Sequence, residues 1–299
     1  MTKILNKICT LWVQIRDLYF YFCRHAIIVN GYVDDHTWKG IRHRNWGDDL
    51  NYYFIRHITA RPVVMYHNFK IAQYLRLTNY LCIGTLLDAV KYSNSQTVVW
   101  GTGVSGQERK FIVPKEIKSV RGIKTQDFLT NHHIECPMSF GDPASLLPLF
   151  YKPKQLEKRY HLGIIPHVID QQYPLIRQMC ANSDDILIID LHHYTHWTDV
   201  IDQICSCDAI ASSSLHGLIV SDAYAIPNCW IELSGKISGG YFKFYDYASS
   251  VARNLKEPYL MTSLEDLAQI KKICSNWQQP KIDVESIITS CPFKLKRKC

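Results

Sequence analysis

Short apolar runs alternate with amphipathic stretches along most of this chain. Residues 97–100, 162–165, 186–190, 208–211 and 228–232 are almost wholly apolar and read as buried strands. Residues 81–84, 111–113 and 119–120 are further strand candidates. Between them, residues 47–58, 124–131, 173–181, 198–205 and 217–225 repeat their apolar positions at helical spacing. Buried strands separated by helices predict α/β layers with parallel sheets. The stretch 147–159 carries Pro148, Pro153 and several charges, and a fresh strand follows it. It divides the chain into two expected Rossmann-like domains, residues 1–150 and 151–299. Their sheets face a central cleft at the carboxyl ends of the strands, where open α/β sheets bind ligands.

The N-terminus departs from this rhythm. Residues 4–28 are apolar and aromatic, but Lys7, Arg16, Asp17, Arg24 and His25 interrupt them. No uncharged run is long enough to span a bilayer, and no small-residue cleavage site follows an apolar core. Two readings stand: an amphipathic helix packed on the core, or an interfacial helix helped by the basic tail Lys294, Lys296, Arg297 and Lys298. The chain has 299 residues, 47% of them hydrophobic, and so needs no disulfide or metal staple. A net charge of +7 is mild. It fits an anionic substrate or a membrane surface better than nucleic acid, for which no reader motif is present. The eleven cysteines form no repeated CxxC pair and read as reduced cytosolic thiols.

The densest chemistry lies in residues 210–227. An apolar run ends in Ser212, Ser213 and Ser214; Leu215, His216 and Gly217 follow and open a helix. That order puts an imidazole, able to act as acid or base near neutral pH, at a helix N-terminus whose free amides attract anions. Elsewhere, Asn45, Gly47 and Asp48 precede a helix, where capping alone accounts for the composition. Gly101, Thr102 and Gly103 follow a strand and either turn the chain or present amides to a bound group. Arg121 stands between a strand and a helix, placed to clamp a carboxylate or phosphate or to lie at the surface. Asp142 reads as a structural turn residue before Pro143. Lys243, within Lys243-Phe-Tyr-Asp-Tyr247 after Ser238-Gly-Gly240, either closes over a ligand or snorkels from packed aromatics. His192, His193 and His196 invite a metal reading, but no fitting carboxylate motif follows, and the expectation is no metal.

Ser212-Ser-Ser-Leu-His-Gly217 with Ala225-Ile-Pro227 resembles the signature of the polysaccharide pyruvyl transferase family. The family's other motifs occur in its order: Asn45-x-Gly-Asp48, Gly101-Thr-Gly103, Val120-Arg-Gly-x-x-Thr125, Gly141-Asp-Pro143, Ile165-Pro-His167 and Lys243-Phe-x-Asp-Tyr247. The match covers about residues 41–250 and is closest to the branch that pyruvylates exopolysaccharide repeats. Many members carry arginine two residues before the histidine; Ser214 stands there, leaving one anion contact for Arg121 or Lys243 to replace. The resemblance implies a GT-B-like architecture and phosphoenolpyruvate as donor substrate, with no cofactor. It also implies a sugar acceptor of an exopolysaccharide or capsule repeat, often lipid-linked, at the cytosolic face of the membrane. The product would be a pyruvate ketal, with phosphate released. His216 is the expected proton carrier and Asp48 the candidate that activates a sugar hydroxyl. Asn45, Gly47, Gly101, Thr102, Gly103, Arg121, Ser213, Ser214, Leu215, Gly217 and Lys243 are the expected substrate-binding set. The rival readings are a glycosyltransferase of the same architecture that uses a nucleotide sugar, and a non-catalytic membrane-associated scaffold.

Overall fold

The computed structural model describes residues 2–33, 41–43, 45–89, 91–92, 94–107, 112–154, 157–182, 185–236 and 240–296. Among these residues ten short strands form two separate sheets. The first holds β1 (Ile27–Val29), β2 (Val63–Met65), β3 (Asn79–Leu81), β4 (Thr97–Trp100) and β5 (Glu116–Ser119), in the order β2-β1-β3-β4-β5. The second holds β6 (Tyr160–Ile165), β7 (Ile186–Ile188), β8 (Cys207–Ser212), β9 (Asn228–Glu232) and β10 (Tyr259–Leu260), in the order β10-β9-β8-β6-β7. Every pairing is parallel. Counted from its own first strand, the second sheet is wound 2-1-3-4-5, as the first is. The winding reverses between β1 and β3 in one sheet and between β6 and β8 in the other, and such reversals open crevices at the carboxyl ends of the strands.

The helices are α1 (Thr2–Arg24), α2 (Trp46–Thr59), α3 (Lys70–Tyr74), α4 (Ile123–Asn131), α5 (Leu147–Phe150) and α6 (Pro174–Asn182). After them come α7 (Trp197–Cys205), α8 (Leu215–Ala223), α9 (Phe242–Ser250), α10 (Asp266–Ser275) and α11 (Val284–Thr289). The five stretches with helical periodicity are α2, α4, α6, α7 and α8. The N-terminal helix is shorter than the apolar pattern implied. His25 takes a positive φ of 51° and stops it, and the β-branched Ile27 and Ile28 pass into β1. Strand β3 ends at Leu81, so residues 82–84 lie outside the sheet. Residues 112–113 are irregular, Phe111 lies outside the described residues, and β5 begins instead at Glu116.

One apolar core runs beneath both sheets, from Ile27, Val29 and Trp46 to Trp197, Leu218 and Trp230. Helix α2 is fixed from the far side of it. The Trp46 amide donates to the Leu191 carbonyl (2.8 Å), the Trp46 indole to the Trp197 carbonyl (2.7 Å), and the Tyr194 hydroxyl to Asp49 Oδ2 (2.6 Å). The chain's last described residues return to the first sheet. Trp100 Nε1 donates to the Ile287 carbonyl (3.0 Å), the Phe293 ring packs on Tyr80 and Trp100, and the Lys296 amide donates to the Ile58 carbonyl (2.7 Å). Lys294 and Lys296 of the basic tail therefore belong to this returning strap, while Arg297 and Lys298 lie outside the described residues. Cys9, Cys23, Cys82, Cys136, Cys205, Cys207, Cys229, Cys274 and Cys291 are free thiols, and Cys82, Cys205, Cys207, Cys229 and Cys274 are buried.

Candidate active site

A cavity of about 480 Å³ opens between the two sheets. Its walls are the loops at the two winding reversals: Tyr32 after β1, Gly84 to Ala89 after β3, His167 after β6, and Ser214, Leu215 and His216 after β8. Asn45 and Asp48 join them from the start of α2, Ser105 from beyond β4, and Lys243 from α9. The volume lies in the ordinary range for small-ligand sites, roughly 300–1,000 Å³.

His216 sits at the floor, 7% exposed. Gly47 makes room for it: a Cβ there would lie 1.9 Å from His216 Nδ1. Gly47 is thus a packing requirement of the imidazole rather than a ligand contact. The ring's other edge points inward. His216 Nε2 lies 4.0 Å from Asp142 Oδ2, and neither buried atom has a hydrogen-bond partner. Asp142 uses its other oxygen to accept from the Ala144 amide (2.9 Å), so it is a cap as well as a neighbour of the histidine. Burial, offset only in part by the Ala144 amide and the Arg121 charge, pushes the Asp142 carboxyl up to about 7. Burial, with the charges of Arg121 and Lys243 nearby, pushes His216 down to about 3. Two groups that ordinarily form an ion pair here share the proton the other way, as neutral imidazole and partly protonated acid. Reading Asp142 as a turn residue missed this, because nothing in Gly-Asp-Pro announces that the turn is buried under α8.

Arg121 is fully buried. Its Nε donates to Asp246 (2.8 Å), Nη1 to Thr85 Oγ1 (2.8 Å) and the Gly84 carbonyl (3.3 Å), and Nη2 to the Val104 carbonyl (3.2 Å). Asp246 also accepts from the Thr125 amide (2.8 Å) and hydroxyl (2.7 Å). The expected clamp on a substrate anion is therefore occupied by the protein itself, and Arg121 stands behind the wall of the cavity. A Cβ on Gly103 would lie 2.4 Å from the guanidinium, which accounts for that glycine. The amides of Gly101 and Gly103, expected to face a ligand, donate instead to the carbonyls of Ser119 (3.0 Å) and Gly84 (3.1 Å). Thr102 likewise donates its hydroxyl to Gly84 (2.9 Å). Ser213 holds the neighbouring loop by accepting the His167 amide at 2.8 Å, and Gly217 lets α8 close onto Ser212, whose Oγ a Cβ would meet at 2.2 Å.

Lys243 takes the position the arginine was expected to fill. It lines the cavity, and among the described residues it makes no hydrogen bond or ion pair. Burial and the Arg121 charge lower its ammonium to about 8, against the pull of Asp48, so it is still mostly charged at neutral pH. Beside it α8 begins at Ser214, whose side chain caps no amide, and the first-turn amides of α8 have no partner within the helix. Asp48 is held from one side by Asn45 Nδ2 (2.8 Å). His167, lowered to about 4 by burial and Lys243, is a second neutral imidazole in the wall; the sequence offered it only within Ile165-Pro-His167. His196, by contrast, caps α7, and His193 pairs with Asp190 (2.9 Å). Among the described residues no three histidines, cysteines or carboxylates gather as a metal site.

The family model for polysaccharide pyruvyl transferase matches residues 15–235. The chain is 26% identical to the succinoglycan biosynthesis protein ExoV of Rhizobium meliloti (strain 1021) over 234 residues, 77% of this chain and 69% of that protein. It is 35% identical to the uncharacterized protein L143 of Acanthamoeba polyphaga mimivirus over 160 residues, 52% of this chain and just over half, 55%, of that relative's length. No solved structure matches it significantly. With two sheets wound alike, a cavity at both winding reversals and a family match across most of its length, the chain belongs to the polysaccharide pyruvyl transferase family.

Proposed function

We propose that this protein transfers pyruvate from phosphoenolpyruvate onto two hydroxyls of a sugar in a polysaccharide repeat, as a ketal, with release of phosphate. One observation carries the proposal: Lys243, the α8 N-terminus and His216 converge on a single cavity between the sheets. Phosphoenolpyruvate presents a phosphate and a carboxylate on a three-carbon frame. Lys243 and the amides of the first α8 turn take one anion and the Ser214 hydroxyl aids them; Arg121 adds positive potential from behind the wall. Tyr32, Thr85 and Ser105 line the remainder, where a sugar fits. A lipid-linked repeat is the acceptor form this reading favours.

The reaction balances without a further reagent. A proton adds to C3 of the enol while a sugar oxygen bonds to C2. The C2–O bond to phosphate then breaks, and the second sugar oxygen closes the ring. Two hydroxyl protons leave the acceptor; one ends on the C3 methyl group and the other on phosphate. In this reading His216 is the carrier that moves them. Neutral in the empty site, it gains a proton from Asp142 once the donor's negative charge arrives, and returns it to the enol. Asp48 receives a proton from the attacking hydroxyl.

Thermal stabilisation by phosphoenolpyruvate, and not by nucleotide sugars, tests the donor assignment. Phosphate release dependent on a hexoside panel tests the transfer. Lys243→Gln weakens phosphoenolpyruvate binding by roughly 10- to 100-fold, the loss of one charged hydrogen bond. With Lys243 lowered to about 8, wild-type affinity falls as pH rises through that value, and the variant loses this dependence. Titration calorimetry between pH 6 and pH 9 reads both, and equal affinities would remove Lys243 from the donor site.

Asp142→Asn keeps the shape of the side chain and removes its proton. Turnover falls roughly tenfold or more. Because Asp142 holds its proton only below about 7, wild-type kcat/KM declines above that pH, and the variant lacks this limb. An unchanged pH profile in the variant contradicts the proton store.

A further inference from the structure

Helix α1 has two apolar faces, and one of them is open. Val13 is buried, and Leu18, Phe20 and Tyr21 pack onto Ala26, Ile28, Val64 and Phe69 of the first sheet's outer layer. On the opposite side Ile8, Leu11, Ile15, Tyr19 and Phe22 are 50% to 63% exposed. They recur every three or four residues and so form one stripe. Tyr74 at the end of the adjoining α3 (87% exposed) and Leu75 after it (52%) are open as well, and the Lys70 amide at the start of α3 donates to Gln14 Oε1 of α1 (3.0 Å).

Among the described residues near the stripe, charge has one sign. Residues 8–33 and 60–79 contain Arg16, Arg24, Arg61, Lys70 and Arg76. Their only acid is Asp17, which is buried and bonded to Arg16 (2.7 Å). The helix also runs past the carboxyl end of β2. A tight turn, with the Ala26 amide bonded to the Phe20 carbonyl, sends β1 back against the direction of α1. Midway along α1, Gln14 meets the Asn68 carbonyl and the Lys70 amide, just past the carboxyl end of β2. The twelve helical residues before Gln14 therefore run roughly 18 Å beyond the carboxyl ends of these strands, the end at which the cavity opens.

We propose that α1 docks this protein on an anionic membrane surface, with its open stripe seated at the boundary of headgroups and acyl chains and the basic residues facing lipid phosphates. No described helix is long and apolar enough to cross a bilayer, so the contact lies in the interface plane. This docking holds the cavity beside the surface and stands independently of the reaction proposed above.

Co-sedimentation of the full chain with vesicles tests it. Binding to vesicles of phosphatidylcholine with about 30% phosphatidylglycerol exceeds binding to phosphatidylcholine alone by about tenfold, and falls sharply in about 0.5 M salt. Leu11→Glu/Ile15→Glu lowers binding to the anionic vesicles by about tenfold or more. Both side chains face solvent, so circular dichroism stays native. A second variant, Arg24→Glu/Arg76→Glu, leaves the stripe intact and lowers binding to the anionic vesicles selectively. Failure of the unaltered chain to sediment with anionic vesicles overturns the proposal. So does a Leu11→Glu/Ile15→Glu variant that binds as well as the parent. A parent that self-associates through this stripe, dissociates on the same substitutions and ignores vesicles also overturns it, since the stripe is then a protein interface.

Discussion

His216→Ala is expected to lower turnover by roughly 100- to 10,000-fold while the protein stays folded and still binds phosphoenolpyruvate. The size follows from what the imidazole alone can do in this cavity. Lys243 and the α8 amides hold charge but cannot deliver a proton to carbon and take it back near neutral pH. His167 is neutral too, but it follows the neighbouring strand β6, and among the described residues no buried acid pairs with its ring. Stability is little affected because His216 Nε2 makes no hydrogen bond that alanine would forfeit. His216→Gln, which fills the space beside Gly47 without titrating, should be nearly as inactive. Steady-state phosphate release with a responsive acceptor gives the turnover, and thermal shift with phosphoenolpyruvate shows that the donor site persists. Turnover within a few-fold of the parent in both variants removes His216 from the chemistry, and the role passes to His167 or Asp48.

The longer elements were legible because burial and period wrote them. The apolar runs of β4, β6, β8 and β9 sit in sheet centres, and the periodic stretches became α2, α4, α6, α7 and α8. Strands β1, β2 and β10 are three residues or fewer, too short for any alternation to register. The shared winding of the two sheets left no trace in the sequence, since doubly wound halves need similar apolar spacing but no common residues. At the cavity, Asn45, Asp48, Ser214, Leu215, His216 and Lys243 line the wall. Gly47, Gly101, Gly103, Ser213 and Gly217 instead shape what lies behind the wall. A glycine that makes room for a ligand and one that makes room for His216 or Arg121 look alike in sequence; only the atom a Cβ would strike distinguishes them. Asp142 eluded the sequence for a related reason. Its chemistry comes from burial against a helix encountered some seventy residues later, and no local pattern encodes that distance.

Arg121→Ala is expected to destabilise the fold by about 3–5 kcal/mol, because it strands the Asp246 carboxylate in a buried site. At a few degrees per kcal/mol, this is a fall in Tm on the order of 10 °C. The pair is fully buried on both sides, and Asp246 keeps only Thr125 once the guanidinium is gone. Thr85 and Val104 each lose the guanidinium's donor in the same step, while the Gly84 carbonyl keeps Gly103 and Thr102. Arg121→Lys should recover little, since one ammonium cannot reach four acceptors arranged around a planar fork. The consequence extends to function. Arg121 belongs to the loop after the first sheet and Asp246 to α9, which also carries Lys243 into the cavity. What reads as two family motifs, Val-Arg-Gly-x-x-Thr and Lys-Phe-x-Asp-Tyr, is one buried joint that sets where the cation stands. Phosphoenolpyruvate affinity should therefore fall in any Arg121 variant that remains folded, although Arg121 touches no ligand in this arrangement. A double-mutant cycle with Asp246→Ala should show strong coupling, the double variant being less damaged than the sum of the singles. Additive losses, or a Tm unchanged in Arg121→Ala, would mean that the halves are positioned by something other than this ion pair.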